Sequence, residues 1–420
     1  MNRLHAMQEA DETGKLQVNV TSWQQNTPIP DATITISFTG EPDSTLESLQ
    51  TDESGQTQTV SLEAPPLEYS MDSSQANQPF SLYTIQVRAE GYQTLNISGI
   101  EVLPTVKAIQ NVTLVPLDYP GTTRGDIDIP VNTLFGDYPP KIEEAEIKPL
   151  EESGEIVLSR VVIPEYVVVH DGPPTDSRAG NYYVRYKDYI KNVASSEIYA
   201  TWPDATIRAN ALAIMSFTLN RVYTEWYRNQ GYNFTITSST AYDQKWSYGR
   251  TIYDTISRVV DEMFENYLSR PNVSQPILTQ YCDGRNVSCP NWMSQWGSKY
   301  LGDQGYSTIQ ILRNYYGSSI YINSADEISG VPSSWPGYDL SVGSSGAKVR
   351  QMQQQLNRIH QNYPAIPAVT ADGVFGNATK NAVQKFQSVF GLPATGIVDY
   401  PTWYKISDVY VGVSRIAELN

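Results

Sequence analysis

The chain has 420 residues, 40% of them hydrophobic and 18% charged, which is enough apolar content for several domains that each bury a core. Its net charge is −16, and the whole acidic excess lies before Val161: residues 1–160 hold 8 Lys and Arg against 24 Asp and Glu, and the rest holds 21 of each. This charge balance, without a basic stripe, excludes nucleic acid as a partner. No apolar run is long enough for a transmembrane helix, so no membrane span is expected.

The first residues, 1–14, form a predicted tail. Their sequence, MNRLHAMQEADETG, lacks the apolar core of a standard secretion signal. We therefore expect the protein to be made without such a signal, and either to stay in the cell that makes it or to reach its site by another route.

Residues 15–117 have the pattern of short strands. Apolar residues alternate, as in Leu16, Val18 and Val20, and turn sequences such as Asp52-Glu53-Ser54-Gly55 separate the runs. This pattern predicts an antiparallel β-sandwich of about seven strands. The stretches VTSWQQNTPIPDATITI and TDESGQT resemble carboxypeptidase-regulatory-like, transthyretin-like sandwiches, which implies a structural module without chemistry of its own.

Residues 118–160 are rich in proline and glutamate. Such segments bury little core and tend to be extended and accessible. They are interpreted as an acidic linker or a pro-segment.

Residues 161–323 mix helical and strand patterns and are predicted to form an α+β domain. Its central stretch, residues 186–228, reads as two helices separated by Thr201-Trp202-Pro203-Asp204, where we expect Thr201 to cap the second helix. A further helix is predicted from Thr251 to Leu268.

Glu197 is the candidate catalytic residue because it lies beside the apolar stripe of the first helix of this pair. Desolvation raises the pKa of a carboxylate, which keeps the proton that a general acid needs. The alternative is a glutamate that turns to solvent or pairs with a cation.

Two cysteines, Cys282 and Cys289, lie in the loop YCDGRNVSC. They are candidates for a disulfide, for a pair of metal ligands or for two reduced thiols. Two ligands do not complete a zinc site, and the three histidines, His5, His170 and His360, are distant in sequence. No cofactor is expected, with zinc at this loop as the alternative.

Residues 324–339 are a Ser/Pro linker, and residues 340–420 carry two amphipathic helical patterns. The sequences DGVFGNAT and AVQKFQ closely resemble the signature of the three-helix peptidoglycan-binding module. The predicted fold is therefore multidomain: an N-terminal antiparallel β-sandwich, a central α+β domain and a C-terminal three-helix peptidoglycan-binding domain.

The scarcity of histidine argues against Ser-His-Asp and zinc hydrolases. An ordinary glycosidase needs two carboxylates, and the candidates for the second, Asp204, Asp243 and Asp283, have no supporting spacing. One carboxylate suffices in a lytic transglycosylase, because the muramic acid C6 hydroxyl is the nucleophile.

Two stretches of the central domain, VASSEIYATWPDATIRANALAIMSFTLNR and MSQWGSKYLGDQGYSTIQILRNYYG, resemble the SpoIID family. The resemblance implies lytic transglycosylase activity with Glu197 as general acid and base. It also implies that the second stretch positions substrate; the residues concerned are Ser294, Gln295, Trp296, Tyr315 and Tyr316. The family's Gly-His-Gly run is replaced here by Cys289-Pro290-Asn291-Trp292.

The order of the domains is similar to that of the SleC-type family of spore cortex-lytic enzymes. That resemblance implies a precursor stored in the spore, in the cortex or coat region, and cut by a subtilisin-like germination protease. We expect the part before the cut, about residues 1–160 with the sandwich as a pro-domain, to be a removable inhibitory or chaperoning piece. We expect the cut between residues 151 and 161, around Ser159, Arg160 and Val161. The expected reaction cleaves the MurNAc–GlcNAc bond of peptidoglycan glycan strands and leaves 1,6-anhydromuramic ends.

Two other functions stay open on sequence. One is a cell-wall-binding or amidase-enhancing protein without catalysis, which the binding module and the sandwich fit equally well. The other is an N-acetylmuramoyl-L-alanine amidase, which would need a metal site that the sequence does not display.

Overall fold

The structure is a computed structural model that describes residues 12–23, 27–41, 44–119, 125–148, 160–325, 327–328, 336 and 338–414. Among these residues, no helix is both long enough and apolar enough to cross a membrane. The stretch 149–159, which includes Ser159 of the expected cleavage region, lies outside the described residues.

The N-terminal region folds into two packed sheets. Its elements are β1 (Glu12–Ser22), β2 (Thr33–Phe38), β3 (Thr45–Gln50), β4 (Val60–Ala64), α1 (Glu68–Met71), β5 (Ser81–Arg88), β6 (Leu95–Val102), β7 (Lys107–Leu114) and β8 (Ile127–Asp128). The alternating residues Leu16, Val18 and Val20 point into the core. The pairing is not purely antiparallel as predicted, because β1 and β7 run parallel, with Lys15 opposite Lys107. A parallel neighbour requires a crossover, which the intervening strands and turns supply.

The central domain consists of short strands around a set of helices. Its elements are β9 (Val162–Ile163), β10 (Tyr166–His170), β11 (Asn181–Arg185), α2 (Tyr186–Glu197), α3 (Asp204–Tyr223), β12 (Ile236–Thr237), β13 (Ile252–Tyr253), α4 (Asp254–Met263), β14 (Asn266–Ser269), β15 (Tyr281–Cys282), β16 (Met293–Ser294), α5 (Gln295–Asp303), α6 (Thr308–Tyr316), β17 (Tyr321–Ser324) and β18 (Glu327–Ile328).

Two predicted details of this domain are wrong. The helix expected from Thr251 to Leu268 is only α4, because strands β13 and β14 pair with other strands on either side of it. Thr201 does not cap α3: Pro203 is the residue before the helix, and the Thr201 hydroxyl donates instead to Ser70 of the first domain at 2.9 Å.

Helix α3 is the centre of this domain and is buried over almost its whole length. Its small residues allow close approach; at Gly302 of α5, an added Cβ would lie 2.0 Å from the Thr206 hydroxyl. Its buried polar groups are bonded to the surrounding loops: Asn220 donates to the Pro276 carbonyl at 2.7 Å, and Thr218 donates to Gln244 at 2.8 Å. These bonds fix the loops that surround the end of α2.

The C-terminal region contains three helices, α7 (Ala347–His360), α8 (Asn377–Val389) and α9 (Tyr400–Ser414). Helix α9 packs on α4, and Tyr404 contacts the edge of the Phe264 ring just after α4. An ion pair between Arg185 and Asp408 joins the C-terminal and central domains at 3.2 Å.

The first two domains share a sheet and a buried ion pair. Strand β13 of the central domain pairs with β7, which extends the sheet of the sandwich to the order β13-β7-β1-β4. Just before β13, the Arg250 guanidinium lies 2.5 Å from the Glu101 carboxylate, and both side chains are 1% exposed. Arg250 also donates to the Ser195 carbonyl, near the end of α2, at 2.8 Å. The sandwich is therefore an integral part of the central domain's support.

The acidic linker was predicted to be extended and accessible, but β8 within it pairs with β6 of the sandwich, and residues 133–148 pack on the central domain. Leu134 is 1% exposed and Lys148 5% exposed. The Thr133 amide donates to the Ser196 carbonyl at 2.9 Å, and the Ile142 amide donates to the Ala241 carbonyl at 2.6 Å. We call residues 133–148 the covering segment.

We predict that Arg250→Gln lowers the unfolding temperature, because it leaves Glu101 buried without its cationic partner. Removing one member of a buried pair costs about 3–5 kcal/mol. Differential scanning calorimetry of the full chain measures the effect. The matched control is Arg258→Gln on the surface, for which we expect a change of less than about 1 kcal/mol. Equal melting temperatures for the two variants would contradict the supporting role of the pair.

Candidate active site

Helix α2 ends at Glu197 and delivers its carboxylate to the interior of the central domain, where the residue is 3% exposed. One oxygen accepts the Lys245 amide at 2.7 Å, and the other accepts the Tyr281 hydroxyl at 2.5 Å. Both contacts orient the carboxylate without neutralising it. The expectation that Glu197 lies on the buried side of its helix is confirmed.

Burial raises the pKa of Glu197. The Lys141 ammonium offsets part of this rise, and the Lys245 amide and the Tyr281 hydroxyl offset less. The Tyr281 phenol has its own pKa raised well above the usual value, by burial and then by the Glu197 charge, and so remains a hydrogen-bond donor. Glu197 therefore has the raised pKa that a proton donor requires.

A cleft of about 490 Å³ opens above this carboxylate. The central domain supplies Glu197, Thr240, Tyr281, Cys282, Asp283, Asn286, Val287 and Gln295 to its lining. The covering segment supplies Thr133, Gly136, Tyr138, Pro139, Pro140 and Lys141. A large share of the wall is contributed by the segment that precedes the domain.

Cys282 and Cys289 form a disulfide, with Cα atoms 5.6 Å apart, and their loop makes one wall of the cleft. The Asp283 carboxylate closes this loop by accepting the Asn286 amide at 2.8 Å and the Val287 amide at 2.9 Å. In the described portion of the chain, no group of three or more His, Cys, Asp and Glu side chains is arranged to hold a metal ion.

The five residues expected to position substrate do not lie together in the cleft. Gln295 alone among them lines the cleft. Ser294 caps α5 by accepting the Gly297 amide at 2.9 Å, and Trp296 is 7% exposed and packs on Trp202.

The two tyrosines of α6 do not line the cleft. Tyr316 donates to the Gln280 carbonyl at 2.9 Å and thereby supports the strand that carries Tyr281. The Tyr315 hydroxyl fills the space beside Gly297, where an added Cβ would lie 2.2 Å from it. The predicted second stretch therefore contributes mostly to the frame of the site.

The other candidate carboxylates are engaged elsewhere. Asp204 pairs with Arg208 and Arg258 on the surface, at 2.6 and 2.8 Å. Asp243 is buried against Arg221 at 2.7 Å. Among the described residues that line the cleft, the carboxylates are those of Glu197 and Asp283, and both oxygens of Asp283 are bonded within its loop.

Sequence reasoning missed the groups that surround Glu197. Tyr281 directly precedes Cys282, but no spacing rule marks it. Gln244 connects the buried hydroxyls of Tyr189 and Thr218, at 3.1 and 2.8 Å, and it lies next to Lys245 in the chain. These contacts come from loops that are distant in sequence, so local patterns carry no signal for them.

Lys141 is the residue of the covering segment whose charge acts on the Glu197 carboxylate. Its ammonium lies 4.9 Å from the centre of the Phe217 ring and 5.2 Å from that of Tyr281, and it donates to the Asp243 carbonyl. Burial lowers the pKa of Lys141, and the charges of Glu197 and Asp243 act against this effect. A cation from the linker thus occupies the neighbourhood of Glu197.

Comparisons with known protein families identify two regions of the chain. Residues 180–268 match the family described as stage II sporulation protein, SpoIID. Residues 345–406 match the putative peptidoglycan-binding domain. The first region contains α2, α3 and therefore Glu197, and the second contains α7 and α8.

Similarity to individual proteins is limited to portions of the chain. The zinc D-Ala-D-Ala carboxypeptidase of Streptomyces albus G is 51% identical over 73 residues, which are 17% of this chain and 27% of that relative. The Bacillus anthracis TIE protein has a TM-score of 0.17 and 13% identity, covering 25% of this chain and 17% of that one. The Klebsiella pneumoniae 5-hydroxyisourate hydrolase has a TM-score of 0.17 and 16% identity, covering 24% of this chain and 90% of that one.

These TM-scores are too low to carry an argument about fold or function, and the chain spans about a quarter of the length of the curated relative. The two family matches are the informative ones. The chain carries a SpoIID domain and a peptidoglycan-binding domain, which support a sporulation-associated function at the cell wall.

Proposed function

We propose that this protein is a peptidoglycan lytic transglycosylase of the spore cortex, with Glu197 as its general acid and base. The observation that carries the proposal is the buried carboxylate of Glu197, which Tyr281 and Lys245 orient at the foot of a cleft. Glu197 lies within the residues that match SpoIID. The peptidoglycan-binding module supports glycan strands as the substrate.

In the proposed reaction, protonated Glu197 donates its proton to the glycosidic oxygen between MurNAc and GlcNAc. The C1–O4 bond breaks and the muramic acid C6 hydroxyl attacks C1, which forms the C1–O6 bond of the 1,6-anhydro ring. Glu197 accepts the C6 hydroxyl proton and returns to its starting state. No water is consumed, so one carboxylate completes the cycle.

We further propose that the chain is a precursor of the SleC type in which the covering segment blocks the cleft. Removing the segment would take away six of the residues that line the cleft, including Lys141. This direct cover supports steric restraint over a purely electrostatic one, because charges beyond about 8 Å are screened at physiological salt.

The activating cut is proposed in the stretch 151–161, made by a subtilisin-like germination protease. Arg160 is exposed, whereas Val161 is 2% exposed and precedes β9, which pairs with β18. A protease needs an accessible segment, so the exposed Arg160 fits a cleavage site better than the buried Val161 does. The sandwich would stay attached after the cut through β13 and Arg250.

Glu197→Gln is expected to keep the fold and to abolish release of 1,6-anhydromuramic products, because the amide does not transfer a proton. General acid–base catalysis contributes roughly 10²–10⁴-fold. Mass spectrometry of products from purified cortex measures the loss, with Glu262→Gln as the surface control. Near-normal turnover by a folded E197Q variant would sink the assignment. Free N-terminal L-alanine would indicate an amidase, and intact glycan with bound wild-type protein would indicate a binding protein.

The pH profile of the activated chain tests the role of Tyr281. The acid form of Glu197 is lost as the pH rises through its pKa, so this pKa sets the alkaline limb of kcat/KM. Tyr281→Phe removes a hydrogen bond that lowers the Glu197 pKa, so we expect the alkaline limb to move to higher pH. Tyr316→Phe, which loses main-chain hydrogen bonds but none to Glu197, should leave the limb in place. An alkaline limb at the same pH in both variants and the unsubstituted chain would contradict the role of Tyr281 in setting the Glu197 pKa.

Replacing residues 151–157 by the recognition sequence of a specific protease makes activation controllable. We expect the cut full chain to cleave cortex faster than the uncut chain, because the covering segment loses its tether on one side. We also expect the N-terminal fragment to co-elute with the rest in size-exclusion chromatography. Equal activity before and after the cut would show that the segment restrains nothing, and separate elution would refute the lasting attachment of the sandwich.

A further inference from the structure

Residues 142–148 of the covering segment lie against residues 275–280 without forming a regular strand, and most of the contacts are made to their main chain. The Leu278 amide donates to the Glu146 carbonyl at 2.8 Å. The Gln280 side chain accepts the Glu144 amide at 3.0 Å and donates to the Ile142 carbonyl at 2.7 Å. The Gln275 side chain accepts the Lys148 amide at 2.7 Å and donates to its carbonyl at 3.3 Å. Alternate residues of the segment, from Ile142 to Lys148, are therefore bonded through their main chain.

Two carboxylates of the segment face two guanidinium groups. Glu144 receives bonds from both terminal nitrogens of Arg221, at 2.9 and 2.6 Å. Glu146 receives bonds from Nε and Nη2 of Arg270, each at 2.8 Å. Paired, parallel bonds of this kind are the strongest and most selective way in which arginine recognises a carboxylate.

Both arginines are held by the central domain independently of the segment. The Arg221 side chain is fully buried; its Nε donates to Asp243 at 2.7 Å and its Nη2 donates to the Tyr242 carbonyl at 3.1 Å. Nη1 of Arg270 donates to the Ser319 hydroxyl at 2.9 Å. The guanidinium groups would therefore stay oriented, with their carboxylate-facing edges vacant, when the segment leaves.

This groove continues into the catalytic cleft. Gln280 directly precedes Tyr281, whose hydroxyl binds Glu197. In the covering segment, Lys141 lines the cleft, and the next residue, Ile142, is the first that bonds to Gln280 in the groove. A substrate held with its scissile bond at Glu197 can thus place a neighbouring substituent beside Arg221 and Arg270. Peptidoglycan offers carboxylates there, on the lactyl ether of muramic acid and along the stem peptide.

We propose that the groove of Arg221 and Arg270 is a binding site for the carboxylates of peptidoglycan, which Glu144 and Glu146 occupy in this chain as internal substitutes. Residues 275–280 contact the main chain of the segment at several successive positions, which favours a stem peptide over the lactyl group alone. The inference rests on the proposed function for the identity of the polymer. The protein would then have two adjoining sites, one at Glu197 that cleaves the glycan and one at the arginines that binds its substituents.

The test uses the full chain with the protease site at residues 151–157, cut, and with Glu197→Gln so that every ligand stays intact. Calorimetric titration compares three GlcNAc–MurNAc fragments: one with a stem peptide, one with a free lactyl carboxylate and one with the lactyl group as its amide. We expect the first to bind most tightly, the amide most weakly, and the uncut chain to bind all three more weakly than the cut chain. A gain from the lactyl carboxylate without a further gain from the peptide would overturn the stem-peptide assignment and give the groove to the lactyl group.

Arg270→Gln is the informative variant because Arg270 is partly exposed and its loss leaves no buried charge unpaired. We expect it to weaken binding of the carboxylate fragments by about tenfold, the size of a charged hydrogen-bond pair, and to leave the amide fragment unchanged. Arg258→Gln is the control. The covering segment can stay bound after the cut and compete with the fragments for the two arginines. Glu144→Gln and Glu146→Gln are therefore added to a second cut chain to weaken the binding of the segment.

The inference would be overturned if all three fragments bound with equal affinity to the cut chain, both with and without Glu144→Gln and Glu146→Gln. Equal effects of Arg270→Gln and Arg258→Gln on the affinity for the carboxylate fragments would also overturn it. The readout is binding by a chain in which Glu197 is replaced, so it is independent of whether the protein cleaves glycan. A failure of the proposed transglycosylase activity and a failure of the carboxylate groove are therefore distinguishable.

Discussion

The buried ion pair between Arg250 and Glu101 is the constraint on which the geometry of the site depends. Its guanidinium also bonds to the Ser195 carbonyl and to the Pro130 carbonyl, at 2.8 and 2.9 Å. It therefore joins the sandwich, the start of the linker and the end of α2, two residues before Glu197. A buried pair is costly to form and more costly to break from one side. The three elements must therefore keep their relative positions, because a shift would leave one buried charge without its partner of opposite charge.

This arrangement assigns separate roles to the sandwich and to the covering segment. The sandwich completes the support of the central domain through the pairing of β13 with β7. The covering segment occupies the cleft and the adjoining groove, with Lys141 near Glu197 and with Glu144 and Glu146 on two arginines. Under the proposed activation, a cut after the segment would free the covering segment and leave the sandwich in place. Part of the acidic excess of the first 160 residues holds the segment on the central domain, since Glu144 and Glu146 bind two arginines.

Much of the local structure followed from the sequence. The apolar periodicity of residues 186–223 predicted two helices with Glu197 on the buried side, and both helices are present. Errors arose where a tertiary partner outweighed a local preference. Ile252 and Tyr253 continue a helical pattern but pair with β7, and Thr201 has the side chain of a helix cap but bonds to Ser70. The linker's composition predicted that it is exposed to solvent. This prediction failed because composition does not reveal that Arg221 and Arg270 bind its glutamates.

The sequence by itself determined which residue types were available for chemistry: a glutamate on an apolar helix face, few histidines and two cysteines in one loop. Those features follow from periodicity and composition, which act over a few residues. Only the tertiary structure decided what surrounds Glu197. Tyr281, Lys245 and Lys141 come from three segments far apart in the chain, and their positions are set by long-range hydrogen bonds and burial. The proton affinity of Glu197 and the cover over its cleft depend on these contacts, because desolvation and charge act through space.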